Sequence, residues 1–176
     1  MKTTVIAAAV LAFGAQTVAQ TVPAGKVLAV AGSATLERAG QQLPLQVGAA
    51  VESGDTLAVG DKSTVQVRFT DESVVALRAN SQFKIENYKF DQNAESDRSM
   101  MSLLKGGMRT ITGLIGKANS KNYSVQTATA TIGIRGTHFT VVSCNNDCTR
   151  PDGTPEANGT FGSVTDGRIT VFNDAG

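Results

Sequence analysis

Thr127-Ala128-Thr129-Ala130-Thr131-Ile132-Gly133-Ile134-Arg135-Gly136-Thr137-His138-Phe139 is the stretch whose reading decides the fold. Small and β-branched residues alternate up to Ile132, as they do in a strand that presents side chains to both faces of a sheet. Gly133 and Gly136 then flank Ile134-Arg135. Glycines at that spacing let a chain bend sharply and let a second strand approach closely. Arg135 is the only charged residue between Lys121 and Asp147. One role for it is structural: its guanidinium caps carbonyls or pairs with a carboxylate such as Asp55 at a neighbouring turn. The other is recognition of a partner's carboxylate. Thr137 is expected to satisfy backbone groups at the same bend, so the whole motif reads as a bend that closes a β-module.

Outward from this stretch the pattern stays that of strands and turns. Val65, Val67 and Phe69 alternate with Gln66, Arg68 and Thr70, the clearest amphipathic strand. Asp71-Glu72-Ser73 turns the chain into Val74–Leu77, and Asn80-Ser81 turns it again toward Phe83 and Ile85. Upstream, Val27–Ala31 and Ala34–Arg38 are of strand length, and Pro44 argues for an edge position near Leu43 and Leu45. Gly54 can take the positive φ of a sharp turn while the Asp55 carboxylate caps that turn. Met101, Leu104, Met108, Ile111 and Ile115 trace a helical face, but Gly106-Gly107 and Gly113 interrupt it, leaving at most a short helix or turn over 109–115. Phe161–Val164 and Arg168–Phe172 read as a hairpin across Asp166-Gly167. Strands at such regular spacing predict an all-β fold, a single domain of short strands arranged like a β-solenoid or a sandwich. Eighteen glycines against four prolines, 41% hydrophobic residues, 5% aromatics and no Trp suit a core of Val, Ile, Leu and Ala between tight turns.

The N-terminal 19 residues read differently. Lys2, the apolar run Val5–Phe13 and the small residues Thr17-Val18-Ala19 have the layout of a secretory signal peptide. Cleavage is expected near Ala19, with Ala24 as a second possibility, which leaves a β-domain over 20–176. The apolar run is too short for a stable membrane span, and periplasmic or exported localisation follows. The only cysteines, Cys144 and Cys148, then meet an oxidising compartment, where a local disulfide is the leading reading. Three residues separate them, against two in a redox motif, and a zinc site would want more ligands than the single His138 supplies. The chain ends at Asn173-Asp174-Ala175-Gly176, straight after the expected hairpin, which suggests that it continues in a longer protein.

Charge narrows the partners. The 176 residues carry 16 Lys and Arg against 15 Asp and Glu, so nucleic acid is a poor partner. From Arg98 to Asn146 no residue is acidic, yet Lys105, Arg109, Lys117, Lys121 and Arg135 fall there. This is either a surface for an acidic partner or anionic glycan, or an ordinary solvated face.

Several segments together resemble the FecR domain, a β-rich module of bacterial extracytoplasmic proteins. Its opening stands here as Gly25-Lys26-Val27 through Gly32 to Arg38-Ala39-Gly40, and its Gly-Asp turn as Gly54-Asp55 with Gly60. A strand, turn and strand follow over Val65–Leu77. The later elements stand as Leu103-Leu104-Lys105-Gly106-Gly107-Met108-Arg109 and Thr112-Gly113-Leu114-Ile115-Gly116, and the closing one as Ala130–Thr137. The resemblance covers about 25–139. The family has Asp-Gly-Ser where this chain has Asp71-Glu72-Ser73, and glutamate tolerates positive φ poorly, which leaves that turn type open. Best-known members sit across the inner membrane, controlling a sigma factor from a cytoplasmic end while a periplasmic β-domain receives a signal from an outer-membrane transporter. What the resemblance implies for this chain is the exported β-module.

No Gly-x-Ser-x-Gly elbow, carboxylate pair, phosphate loop, dinucleotide fingerprint or calcium loop is present. His138 has neither a nucleophile nor an orienting acid beside it in sequence. The expectation is therefore a protein that is not an enzyme and needs no cofactor or metal. It would be a binding module with an envelope protein or surface ligand as partner, working in signalling or assembly, its sheet edge available for an added strand. The alternative is a structural N-terminal module of a larger cell-surface or adhesin-like protein.

Overall fold

The computed structural model describes residues 22–150 and 152–173, so the expected signal peptide lies outside the described residues. Twelve strands form one sheet: β1 Gly25–Ala31, β2 Ala34–Arg38, β3 Gln41–Pro44, β4 Ala50–Val51, β5 Thr56–Val59, β6 Thr64–Phe69, β7 Val74–Leu77, β8 Gln82–Lys89, β9 Arg98–Ile111, β10 Tyr123–Gln126, β11 Thr131–Cys144 and β12 Gly159–Phe172. Helix α1, Leu114–Ala118, and a 3-10 turn, Ser120–Asn122, lie between β9 and β10.

The three long strands β9, β11 and β12, each of 14 residues, organise the sheet. The first half of β9 pairs with β8 on one side and β10 on the other, while its second half pairs with β7 and β11. Two half-sheets fan out from these strands. One runs β3-β2-β5-β8-β9-β10-β11-β12, and the other runs β4-β1-β6-β7-β9-β11-β12. Their apolar faces meet: Leu36, Leu57, Phe83 and Ile85 from the first join Val27, Val67, Phe69 and Val75 from the second in one buried core. The result is a single all-β domain whose mostly antiparallel sheet curls into a half-barrel. Each such side chain removed from water contributes about 1.5–3 kcal/mol. In β6 the alternation read from sequence is realised, with Val65, Val67 and Phe69 buried and Thr64, Gln66 and Arg68 exposed. Pro44 lies in β3, which ends the sheet and leaves its missing N–H without consequence.

Three local expectations change. The helix falls at Leu114–Ala118 rather than over 109–115, because Arg109–Ile111 continue β9 and are held there by β7 and β11. The one parallel pairing among the described residues, β9 with β10, explains the helix: a parallel neighbour needs a crossover, and α1 and the 3-10 turn supply it. The stretch 131–137, expected to be a bend, is the first half of β11, which runs on to Cys144 and bends only between Arg135 and Phe139. The hairpin across Asp166-Gly167 is replaced by the unbroken β12, which follows β11 along its whole length. Both strands shift register together, between Arg135 and Phe139 on β11 and around Asp166-Gly167 on β12. That bulge lies where both pass from one half-sheet to the other, the usual device for turning a sheet corner.

Candidate functional site

The motif residues divide between two corners. At the first, Gly54 has φ +91 and Asp55 is 1% exposed. The Asp55 carboxylate accepts from the backbone N–H of Glu52 at 2.7 Å, capping the turn as expected. Its arginine partner, however, is Arg38 rather than Arg135. Arg38 Nε donates to Asp55 Oδ1 at 2.8 Å and its Nη2 to Oδ2 at 2.6 Å, a bidentate pair. The same guanidinium reaches Glu52 Oε1 at 2.6 Å and the Ala50 carbonyl at 3.1 Å. β2 and the turn before β5 are adjacent through their antiparallel pairing, so Arg38 at the end of β2 arrives beside Asp55. The hydrogen bond to Asp55 chiefly raises the Arg38 guanidinium above its ordinary pKa.

The second corner is the bulge of β11 and β12. Gly136 has φ +59 and Gly167 φ +82. A Cβ on Gly167 would drive into the backbone carbonyl of Gly136, so the close approach expected of Gly133 belongs to Gly167. Gly133 has nothing nearer than 3.9 Å to such a Cβ. The Thr137 backbone N–H donates to Thr112 Oγ1 at 3.1 Å, but among the described residues the buried Thr137 hydroxyl itself has no hydrogen-bond partner, contrary to the bonding expected of it. Arg135 is exposed and makes no ion pair or side-chain hydrogen bond among the described residues. Its cross-strand neighbour is Arg168.

Helix α1 is set beside this corner by a buried turn. Asp71, 0% exposed, accepts from the Ser73 hydroxyl at 2.6 Å and through its backbone carbonyl from Leu114 N at 2.8 Å. The Tyr88 hydroxyl accepts from Asp71 N at 2.8 Å and donates to Asp71 Oδ1 at 3.2 Å. Burial, above all, pushes the Tyr88 phenol above its ordinary pKa. Glu72 takes φ +70, which settles the turn as one with positive φ despite the absent glycine. On the far side, Gly116 packs against Ile134, where a Cβ would come within 2.5 Å of Ile134 Cδ1.

Of Lys105, Arg109, Lys117, Lys121 and Arg135 in the acid-free stretch, the structure brings together Lys117, Lys121 and Arg135. All three line a cleft of about 480 Å³ with Gly116, Asn119, Ser120 and Gly136. Lys105 lies elsewhere, 3.6 Å from Asp147 beside the disulfide loop. Arg109 is exposed on β9 between Ala76 and Thr140. Cys144 and Cys148 are joined in a disulfide with Cα atoms 5.4 Å apart, closing the end of β11. His138 is half-buried in β11 with Ile111 and Asp166 as cross-strand neighbours. Among the described residues no group of three or more His, Cys, Asp or Glu could hold a metal, and no helix is long and apolar enough to cross a membrane.

Sequence reasoning passed over the outer edge of β12. Among the described residues this strand pairs only with β11, and Phe161, Val164, Val171 and Phe172 on it are 41%, 41%, 53% and 48% exposed. Val164 and Val171 lie opposite the buried Phe139 and Ile132, so they prolong the core face beyond the last covered strand. The Asp-Gly hairpin signal hid this continuous edge.

No curated protein and no solved structure matches the chain significantly. The model of the family described as FecR protein matches residues 55–165. That span takes in the Asp55 turn, all of β9 and β11, the disulfide loop and the first half of β12. It therefore starts later than the resemblance over 25–139 and runs past it. With more than half its length matched, the chain belongs to the FecR family.

Proposed function

We propose that the protein is an exported, non-catalytic binding module of an envelope signalling or assembly system, and that it takes an extended segment of a partner protein along β12. The observation that carries this is the β12 edge. It is 14 residues long, contains no proline, and has only Asp166 and Arg168 as charges. Large apolar side chains are exposed on both its faces. Natural sheets blunt an edge of this kind with charges, proline or a covering element unless it is meant to be paired. A partner strand would gain main-chain hydrogen bonds from the edge and side-chain contacts from Val164 and Val171. FecR membership supports the signalling context. The signal-peptide layout of the first 19 residues and the disulfide support export.

The test places a photo-crosslinking residue at Thr170 or Ser163 in intact cells. One defined envelope protein should be captured, and capture should vanish in a Val164→Lys/Val171→Lys variant whose melting temperature stays near that of the parent. Recovery of the protein alone from both positions, or capture that survives the double substitution, would sink the reading.

A further inference from the structure

The cleft beside the second corner goes beyond strand addition. Its three cations sit on three separate supports: Lys117 on α1, Lys121 on the 3-10 turn and Arg135 on β11. Each support is fixed. α1 is anchored by Asp71 at its start and by Ile134 against Gly116. The 3-10 turn is tied down where Asn119 and Asn122 both donate through Nδ2 to the Ala94 carbonyl, at 3.3 and 3.0 Å, and where Asn119 Oδ1 accepts from Lys121 N at 3.2 Å. β11 pairs with β12 at Arg135, and on its other side with β10 up to Gly133 and with β9 from His138. Among the described residues no acidic side chain lines the cleft. None of Lys117, Lys121, Arg135 and the adjoining Arg168 has a carboxylate partner among the described residues. Like charges directly opposite across two strands, as in Arg135 and Arg168, destabilise a sheet unless an anion lies between or beside them.

We propose that this cleft binds a small oxyanion of multiple charge, a molecule carrying two or more phosphate or carboxylate groups. The open depression of about 480 Å³ beside the three cations has room for a small molecule. Arg135 offers a planar fork that grips two oxygens at once, while Lys117 and Lys121 act as mobile point charges that neutralise the remaining ones. With no acid in the cleft, an incoming anion displaces only water and counterions.

Titration calorimetry of the purified protein at low salt tests this with two probes, inorganic pyrophosphate and propane-1,2,3-tricarboxylate, which separate the phosphate from the carboxylate source. At least one should bind with Kd below about 1 mM. Arg135→Gln should weaken it at least ~10-fold, as should the independent Lys117→Gln/Lys121→Gln variant. Arg109→Gln, which removes an equal charge outside the cleft, should leave Kd within about twofold. The proposal falls if neither probe saturates, if Arg109→Gln costs as much as Arg135→Gln, or if only a polyaspartate peptide binds and neither probe competes with it.

Discussion

Arg38 and Arg135 look alike in sequence and behave oppositely in the fold. Each stands one or two residues before a glycine of positive φ, Gly40 and Gly136, and each ends or interrupts a strand at a corner. Arg38 spends every direction of its guanidinium on Asp55, Glu52 and the Ala50 carbonyl. Arg135 faces a cleft with two lysines and a second arginine opposite it. The first corner is held by charge, the second by backbone shape. That second corner needs no arginine to close, since the matched bulges of β11 and β12 and the contact of Gly167 with Gly136 already define it. An arginine that the fold does not use is available to a ligand.

The largest effect expected is at the charged corner. Arg38→Met leaves the buried Asp55 carboxylate with its Glu52 N–H and no cation, which should cost about 3 kcal/mol. The midpoint of chemical denaturation measures it. Adding Asp55→Asn to Arg38→Met should recover part of the loss, because the unpaired charge is then gone. A cost under about 1 kcal/mol for Arg38→Met would show that the pair does not hold the corner and would erase the contrast with Arg135.

The second effect lies at the shape-held corner. Gly167→Ala must hold φ near +82 and press a methyl against the Gly136 carbonyl, at a cost of about 2 kcal/mol, somewhat relieved because β12 is an edge strand free to shift. Gly133→Ala, with open space around it, should cost much less. Equal costs at the two glycines, read from melting temperatures, would mean that the corner is not set by the Gly136–Gly167 contact.

What was legible in the sequence follows the range of the interactions involved. Val65, Val67 and Phe69 announce their strand, Pro44 its edge and Gly54-Asp55 its turn, because period-two burial and turn chemistry are local. The crossing of β9 was not legible. Met101, Leu104, Met108 and Ile111 mimic helical spacing on β9, which carries both half-sheets, while Ile115 belongs to α1, and Met101, Ser102 and Leu103 are buried in succession where β9 passes between the half-sheets. Nor could the sequence tell a hairpin from a bulge at Asp166-Gly167, since the same positive φ serves both and only the kink in β11 decides. The choice of Arg38 over Arg135 as partner of Asp55 rests on β2 lying beside β5, a pairing that no motif records. The grouping of Lys117 and Lys121 with Arg135 rests likewise on the crossover folding back onto β11.

The smallest expected effect is the one that separates the two arginines most sharply. Arg135→Ala removes an exposed side chain with no ion pair among the described residues and relieves the opposition to Arg168. Its effect on stability should therefore stay within about 0.5 kcal/mol and fall on the stabilising side at low salt, fading as salt screens the two charges. Arg168→Ala should do the same, and the double variant should gain less than the sum of the singles because one repulsion is counted once. Thermal melts at two salt concentrations decide it. A loss of more than about 1 kcal/mol for Arg135→Ala would return this residue to a structural role and leave the cleft without its central donor. A neutral or slightly raised melting temperature, beside the collapse expected of Arg38→Met, leaves Arg135 a side chain held in place by the fold and not required by it.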